Sequence, residues 1–381
     1  MATVDLDAIA DNVRVLRQRA GTAALMAVVK ADGYGHGLVA SARAALRGGA
    51  AALGVAQPTE ALALRAAGIQ APVLTWLVAP GADVRPLVEA GVEVAASAPW
   101  VLDALAAAAR ATGTPATVQL KVDTGLARNG AFARPARDGD PRTDWSDLVE
   151  HAARLQAGGA VRVRGVFTHF AYADAPDHPT VRAQQEAFAD AVALAERAGL
   201  DLELRHMSNS AATLTTPSAA WDMVRPGLAV YGLSPVPHLA TAAELGLRPA
   251  MRVTARVAVT KRVPAGQGVS YGHTYVTSRE STLLDIPLGY ADGVPRHASG
   301  TGPVQVHGRR FSVSGRVCMD QFVVDVGDLP VAAGDEVVLF GAGDAGEPTA
   351  QDWADAAGTI SYEIVTRFGP RVPRVHVGGA T

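Results

Sequence analysis

The chain has 381 residues, of which 49% are hydrophobic and 19% are charged. This length favours two domains, and the apolar content is ample for packed cores, which excludes a mainly disordered protein. The 34 basic and 37 acidic residues leave a formal charge of −3, so the composition does not favour binding to nucleic acid or to an anionic membrane. A single cysteine, Cys318, excludes a disulfide framework.

Two features of the sequence bear on its location. A membrane-spanning helix requires about 18 consecutive apolar residues, and no apolar run in the sequence approaches this length. The first residues, MATVDLDAIADNVRVLRQ, carry acids where a signal peptide has a basic and then an apolar stretch. The sequence therefore predicts a cytoplasmic protein that does not enter a membrane.

Up to about residue 235, short apolar runs alternate with helical stretches. Eight runs are predicted as strands: Leu25–Lys30, Ala52–Gln57, Val73–Leu77, Val92–Ser97, Val118–Val122, Val163–His169, Leu202–Met207 and Val224–Tyr231. Helices are predicted between them, for example at Thr59–Ala67, Pro99–Ala111 and Pro179–Ala198. Eight such units predict a TIM (β/α)8 barrel, an α/β fold, with an open doubly wound sheet as the alternative.

After Pro237 the pattern changes to short alternating runs, which predict a mostly antiparallel β domain. The predicted strands are Arg252–Thr260, Ser281–Ile286, Val304–Val306, Ser312–Val317, Phe322–Val326, Glu336–Phe340 and Arg374–Val377. Helices are expected near Ala350–Ala356 and Ser361–Arg367. We therefore expect a barrel domain over residues 8–236 and a β domain over 237–381, with residues 1–7 as a strand that could pair with the second domain.

Lysine is scarce in this chain. Lys30, Lys121 and Lys261 are its only lysines, and the other basic residues are arginine. Arginine stays protonated, whereas a lysine amine can lose its proton and act as a nucleophile or base. The three lysines are therefore candidates for chemistry that arginine cannot perform, unless they survive by chance.

In a TIM barrel the active site lies at the carboxyl ends of the strands. The first predicted strand ends at Lys30, where partial burial would lower the pKa of the amine and make it nucleophilic. The glycine-rich segment that follows, ADGYGHG, lacks the G-x-G-x-x-G spacing, and the next strand ends in Gln57 instead of an acid. This segment is therefore weak evidence for a dinucleotide site.

Two further strand ends carry cations or a histidine. The fifth strand leads to Lys121 and Arg128, which indicate either a bound anion or a solvated basic loop. The sixth ends at His169, which is either a catalytic group or a hydrogen-bonded histidine of the core.

The last two strands indicate a phosphate site. Asn209 and Ser210 follow the seventh strand at the start of a helix, and Arg225 and Gly227 follow the start of the eighth. Hydroxyl and backbone N–H groups bind phosphate, and TIM barrels often bind it after strands seven and eight. Together with a Schiff-base lysine on strand one, this site predicts pyridoxal phosphate.

Nine segments occur in an order that resembles the alanine racemase family. They are LMAVVKADGYGHG, QLKVDTGLARNG, GVFTHFA, HMSNSAATL, MVRPGLAVYG, GVSYGHTY, LGYADG, GRVCMDQF and ISYE. The resemblance covers nearly the whole chain. It implies a pyridoxal 5'-phosphate enzyme, built as a TIM barrel followed by a β domain, that works as a head-to-tail homodimer and interconverts L-alanine and D-alanine for peptidoglycan.

The resemblance also implies roles for the reacting groups. Lys30 is expected to form the Schiff base and to act as the base on the D face. Tyr271 of the partner subunit is expected to be the base on the L face. Arg128 would bind the substrate carboxylate, together with the backbone N–H of Met319 across the interface. Lys121 resembles a carbamylated lysine that positions Arg128.

The resemblance assigns the remaining residues to cofactor binding and substrate access. The cofactor phosphate would be held by Tyr34, Ser210, Gly227, Leu228 and Tyr362. Arg225 would face the pyridine nitrogen, with His169 beside it. The access channel would be lined by Asp174, Tyr290, Arg296, Arg316, Asp320 and Ile360. No metal is expected.

The arginine at this position has a chemical consequence. A carboxylate beside the ring nitrogen would stabilise the protonated ring and create a deep electron sink, whereas arginine, with a pKa above about 12, does not give its proton to the ring as an acid would. A shallow sink favours return of the proton to Cα over transamination.

Three alternatives remain on the sequence alone. A related pyridoxal-phosphate decarboxylase would use a carboxylate after strand eight and a cysteine from the partner, whereas here Arg225 occupies the first place and Cys318 is followed by Met319 and Asp320. A racemase of broad specificity is a second alternative. A non-enzymatic cofactor carrier would not need the β domain that contains Tyr271.

Overall fold

The computed structural model describes residues 1–133 and 143–379. The chain starts with a strand, β1 (Ala2–Asp5), and a helix, α1 (Leu6–Ala20). Eight parallel strands follow: β2 (Ala24–Val28), β3 (Ala52–Val55), β4 (Val73–Thr75), β5 (Glu93–Ala96), β6 (Ala116–Asp123), β8 (Val161–Phe167), β9 (Leu204–His206) and β10 (Met223–Val224). A short strand, β7 (Ala131–Phe132), pairs with β6 outside this series.

The eight strands form a nearly closed barrel. They are joined in the order β10-β2-β3-β4-β5-β6-β8-β9. Two backbone hydrogen bonds bridge β9 and β10, from the Asp222 N–H to the Arg205 carbonyl (3.1 Å) and from the Arg225 N–H to the Ser208 carbonyl (2.8 Å). The predicted TIM barrel is therefore confirmed, and the open doubly wound sheet is wrong.

Helices follow the barrel strands. The first, α2 (Lys30–Tyr34), is a single turn with left-handed backbone angles at Ala31, Asp32 and Gly33. The others are α3 (Leu38–Arg47), α4 (Pro58–Ala66), α5 (Arg85–Glu89), α6 (Pro99–Thr112), α7 (Asp144–Ala157), α8 (Pro179–Arg197) and α9 (Ser210–Thr215). Proline stands in the first turn of α4, α5, α6 and α8, where its missing N–H costs no hydrogen bond. None of the helices described is long and apolar enough to cross a membrane.

Six barrel strands are shorter than the sequence predicts, and two of these differences concern residues of the predicted site. Lys30 is not a strand residue, because β2 ends at Val28 and a left-handed turn begins two residues later. The predicted strand Val224–Tyr231 is reduced to Met223–Val224, and Leu228–Tyr231 forms a 3-10 turn. Pro226 has no N–H to donate, although its carbonyl still accepts the Val28 N–H of β2 at 3.0 Å.

The rest of the chain forms a mostly antiparallel β domain, as predicted. Its strands are β11 (Met251–Arg256), β12 (Val259–Val263), β13 (Gly268–Val269), β14 (Tyr275–Val276), β15 (Ser281–Ile286), β16 (Pro303–Val306), β17 (Arg309–Ser312), β18 (Phe322–Gly327), β19 (Glu336–Phe340) and β20 (Arg374–Val377). Two helices, α10 (Ala350–Ala357) and α11 (Ser361–Thr366), lie before β20. The largest sheet has the order β17-β16-β19-β11-β1-β20.

Two strand predictions in this domain are wrong. The predicted strand Arg252–Thr260 is two strands, β11 and β12, that belong to different sheets. The predicted strand Ser312–Val317 overlaps only the end of β17, and beyond it Val313 forms an isolated bridge to Val324.

The first strand of the chain belongs to the sheet of the β domain. β1 lies between β11, with which it is antiparallel, and β20, with which it is parallel. Asn12, in the helix that follows, is fully buried and joins the barrel to the segment leading into β11. Its Nδ2 donates to the carbonyls of Val230 (3.2 Å) and Arg248 (2.9 Å). Its Oδ1 accepts a hydrogen bond from the Arg248 N–H (2.8 Å).

We predict that Asn12→Leu destabilises the protein by about 2–3 kcal/mol, because it leaves buried backbone groups without partners. The shift in the urea midpoint, at fixed protein concentration, measures the effect. Asp11→Ala is the matched control on the same helix. It removes only an exposed ion pair with Arg14 and is expected to cost less than about 0.5 kcal/mol. Equal midpoints for the two variants would contradict the assignment.

Candidate active site

A cavity of about 560 Å³ lies at the carboxyl ends of the barrel strands. Most of the predicted site residues line it: Lys30, Tyr34, Lys121, Arg128, His169, Asn209, Ser210, Arg225, Gly227, Leu228, Ile360 and Tyr362. They come from five different strand ends and from the segment around α11, so only the closed barrel brings them together. Residues without a predicted role also line it: Val28, Ala31, Trp76, Phe167, Glu363 and Thr366.

Lys30 begins a left-handed turn. Ala31, Asp32 and Tyr34 have φ angles of 53°, 53° and 52°, a conformation that costs an L-residue roughly 1–2 kcal/mol. The carboxylate of Glu60 accepts the Ala31 N–H at 2.5 Å and helps to hold the turn. Both ends of the turn, Lys30 and Tyr34, thereby face the cavity.

The surroundings of Lys30 favour its neutral form. Burial, and then the charge of Arg128, lower the pKa of the Lys30 amine, and the Glu60 carboxylate opposes the shift. The Lys30 Nζ lies 5.9 Å from the centre of the Trp76 ring. A lowered pKa increases the fraction of amine that can act as a nucleophile or base.

The loop that carries Arg128 is built around the buried carboxylate of Asp123. Its Oδ1 accepts the N–H groups of Gly125 (2.8 Å), Leu126 (2.9 Å) and Ala127 (3.1 Å). Its Oδ2 accepts the Arg128 N–H at 3.0 Å. The sequence did not single out Asp123, although an Asp at the end of a strand and directly before Thr-Gly is a typical residue for such a turn.

Lys121 and Arg225 lie against the same aromatic ring. The Lys121 Nζ is 5.6 Å and the Arg225 Cζ 5.2 Å from the centre of Phe167. Burial, followed by the charges of Arg225 and Arg128, lowers the pKa of Lys121 to about 8. Lys121 is therefore partly neutral near physiological pH.

Arg225 is anchored by neutral acceptors. It donates to the Thr168 carbonyl at 2.6 Å and to the His206 Nδ1 at 2.9 Å, and it lies 3.5 Å from the His169 Nδ1. Burial lowers the pKa of Arg225 to about 9, which leaves it protonated at neutral pH. Burial and the charge of Arg225 lower the pKa of both histidines well below the usual value. His206 was not predicted, since a lone histidine at a strand end carries no other sign of its role.

Three hydroxyl-bearing residues of the predicted site, Tyr34, Ser210 and Tyr362, also line the cavity. Ser210 Oγ accepts the N–H groups of Gly227 (2.8 Å) and Ala229 (3.3 Å). A Cβ on Gly227 would lie 2.3 Å from the Tyr34 hydroxyl, so only glycine fits there. Burial raises the pKa of Tyr362 to about 12 and that of Tyr34 further, so both phenols remain hydrogen-bond donors.

Several predicted site residues do not reach this cavity within one chain. Five of them form what we call the Tyr271 surface of the β domain: Tyr271, Tyr290, Arg316, Met319 and Asp320. Tyr271 is 71% exposed and Met319 53%. Hydrogen bonds connect the segments of this surface, from Ser270 Oγ to the Arg316 carbonyl (2.7 Å) and from the Tyr290 N–H to the Cys318 carbonyl (3.0 Å).

The other predicted channel residues lie at separate places. Asp174 lines a second cavity of about 360 Å³, which shares Ile360, Tyr362 and Asn209 with the first. Arg296 lies in the 3-10 turn Arg296–Ala298 of the β domain.

The charges in the main cavity are unbalanced. Lys30, Lys121, Arg128 and Arg225 all line it, and within the described parts of the chain none of them forms an ion pair with a carboxylate. Glu363 is the acid among the lining residues, and it pairs with Arg367. Such a set of cations, of which Lys121 and Arg225 are buried, fits an anionic ligand with several oxygen acceptors.

Comparison with known proteins agrees with this geometry. The N-terminal and C-terminal domain models of alanine racemase match residues 4–235 and 250–376. An alanine racemase of Frankia casuarinae is 58% identical over 99% of this chain and 96% of its own. The crystal structure of alanine racemase from D-cycloserine-producing Streptomyces lavendulae is 56% identical, with a TM-score of 0.96 over 100% of this chain and 97% of that one. The enzyme of Streptomyces coelicolor A3(2) is 54% identical, with a TM-score of 0.95 over 99% and 97%. The chain belongs to the alanine racemase family.

Proposed function

We propose that this protein interconverts L-alanine and D-alanine with bound pyridoxal 5'-phosphate, and that its D-alanine is used for peptidoglycan. The observation that carries the proposal is the cavity in which the Lys30 amine meets a group of hydroxyl donors and three further cations that have no carboxylate partner among the described residues. The cytoplasmic location expected from the sequence stays a prediction.

The residues of the cavity fit the cofactor. Ser210, Tyr34 and Tyr362 would offer hydroxyl donors to a phosphate, and the missing side chain of Gly227 lets the Tyr34 hydroxyl lie against the backbone there. Lys30 would be the residue bonded to the aldehyde carbon, and Arg225 would face the ring nitrogen. When bound, pyridoxal phosphate acidifies the Cα–H of an amino acid by accepting its electron pair into the ring.

The side chains of this protein would then control where the proton goes. Racemisation requires a base on each face of the planar Cα centre. Lys30, with its lowered pKa, is suited to remove or return the proton on one face. Arg128 would orient the substrate by its carboxylate, which fixes the Cα–H toward the base. Arg225, which keeps its own proton, would leave the ring nitrogen unprotonated and so favour return of the proton to Cα.

We infer that the second base comes from another copy of the chain. Within one chain Tyr271 does not line the cavity, and its side chain is largely exposed. We infer that the active unit is a head-to-tail homodimer in which the Tyr271 surface of each subunit covers the cavity of the other. The Tyr271 hydroxyl would serve the face opposite Lys30, and the Met319 N–H would reach the substrate carboxylate.

The first experiment measures racemisation directly. We expect the protein with pyridoxal phosphate to convert L-alanine to D-alanine, which is measured as a loss of the circular dichroism of L-alanine. We expect no release of carbon dioxide from lysine or ornithine. Lys30→Arg should lower kcat by about a hundredfold to ten-thousandfold, because it removes a base.

Lys261→Arg is the matched control, because Lys261 lies on an exposed strand of the β domain. Borohydride should fix the cofactor to the peptide that contains Lys30. Labelling of Lys261, or decarboxylation without racemisation, would contradict the proposal.

We also propose that Lys121 is carbamylated. A cationic Lys121 would repel Arg128, whereas its carbamate is an anion that can pair with it. With a pKa of about 8, roughly a tenth of the Lys121 amine is neutral at pH 7 and able to react with carbon dioxide.

Carbon NMR with isotope-labelled bicarbonate tests this. We expect a carbamate signal in the wild-type protein that is absent from Lys121→Arg and present in Lys261→Arg. A crystal structure with an unmodified Lys121 ammonium and an anion such as chloride between it and Arg128 would contradict the proposal.

Mixed dimers test whether Tyr271 acts across the interface. Lys30→Ala and Tyr271→Ala proteins should each be inactive. After subunit exchange, half of the dimers combine the two variants, and each of these has one complete site. Mixing should therefore restore about a quarter of the wild-type activity. Activity that stays at the level of the single variants after confirmed exchange would show that Tyr271 acts within its own chain.

A further inference from the structure

A chain of polar side chains crosses the interior of the barrel and ends at Arg225. Arg164 on β8 pairs with the Glu93 carboxylate on β5. Gln119 on β6 donates to Glu93 at 2.5 Å, and its amide oxygen lies 2.5 Å from the His206 Nε2. The His206 Nδ1 is 2.9 Å from the Arg225 guanidinium. Gln119 and His206 have no exposed surface.

The direction of each hydrogen bond in this chain is determined by chemistry. Glu93, paired with Arg164, can only accept, so the Gln119 amide must turn its NH2 toward it. The Gln119 oxygen then faces His206 and can only accept, which places a proton on the His206 Nε2. Arg225 can only donate, which requires a lone pair on the His206 Nδ1. All these requirements are met by one state, the neutral Nε2–H tautomer of His206.

We propose that Glu93 and Gln119 are positioning residues that hold His206 in this tautomer, and that the His206 lone pair in turn holds Arg225 toward the cavity. This inference rests on the proposed function, because it assigns Arg225 to the cofactor. Neither Glu93 nor Gln119 lines the cavity, so both act only through His206 and Arg225.

The amide between the acid and the histidine is the important feature. A carboxylate in direct contact with His206 would favour the imidazolium, whose Nδ1–H would oppose the Arg225 N–H groups. Gln119 passes on the orientation of the Glu93 carboxylate while keeping its charge one residue away from the ring. Burial and the charges of Arg225 and Arg164 also keep the pKa of His206 well below the usual value, in agreement with a neutral ring.

Exchanging the side chains of Glu93 and Gln119 tests whether the position of the carboxylate matters, because every hydrogen-bonding group keeps a partner. In Glu93→Gln/Gln119→Glu the new carboxylate accepts from His206 and from the new amide, whose oxygen accepts from Arg164. Every group keeps a partner, yet the negative charge now touches His206. Glu203→Gln is the control, because Glu203 is exposed, also pairs with Arg164 and has no bond to Gln119.

Nitrogen NMR of isotope-labelled histidine, with His206 assigned by its loss in His206→Asn, gives the first readout. We expect the Nε2–H tautomer in the wild-type and Glu203→Gln proteins and the imidazolium in the exchanged variant. The exchanged variant should also lose about tenfold in kcat, the rate equivalent of one buried hydrogen bond, with KM for alanine little changed.

Two results would overturn the proposal. One is an Nδ1–H tautomer or an imidazolium at His206 in the wild-type protein. This measurement does not need the exchanged variant and therefore tests the proposal even if that variant does not fold. The other is wild-type kcat in a folded exchanged variant. A wild-type protein without alanine racemisation would instead overturn the proposed function, and the histidine NMR would still decide the tautomer.

Discussion

The concentration of positive charge at the mouth of the barrel, which no described carboxylate pairs with, is the constraint on which the rest of the site depends. Lys30, Lys121, Arg128 and Arg225 share one cavity in a partly buried setting, where like charges repel more strongly than in water. The repulsion among these cations destabilises the site, and a bound ligand of opposite charge offsets it. The cavity therefore favours an anion such as the phosphate of the proposed cofactor or a substrate carboxylate, and the carbamate proposed for Lys121 would remove part of the repulsion.

The acids near the site stabilise the backbone and do not neutralise these cations. Asp123 accepts four N–H groups of the Arg128 loop, and Glu60 accepts the Ala31 N–H and two more at the start of α4. Glu93 is separated from Arg225 by Gln119 and His206. In each case the carboxylate fixes the position of a cation without forming an ion pair with it. The cations are thereby held in place and remain available to a ligand.

The order of strands and the scarcity of lysine were enough to predict the barrel and the position of Lys30 at its mouth. The left-handed turn could not be predicted, because Ala31 and Asp32 adopt positive φ only under tertiary contacts such as that with Glu60. His206 was missed for a similar reason, since its role depends on partners that lie far away in the sequence. The strand predicted at Ser312–Val317 failed because alternating apolar residues do not by themselves specify a pairing partner.

The β domain is attached to the barrel in a way that limits where Tyr271 can act. β1 is held between β11 and β20, so the segment that enters α1 is fixed to the second domain. At the other end, the His376 ring bonds to the His36 carbonyl (2.8 Å) and Arg374 to the Gly35 carbonyl (3.1 Å), directly after the Lys30 turn. A rotation that carried Tyr271 into its own cavity would break these contacts and with them the turn that positions Lys30. A second base for the cavity is therefore more readily supplied by another copy of the chain than by movement of this one.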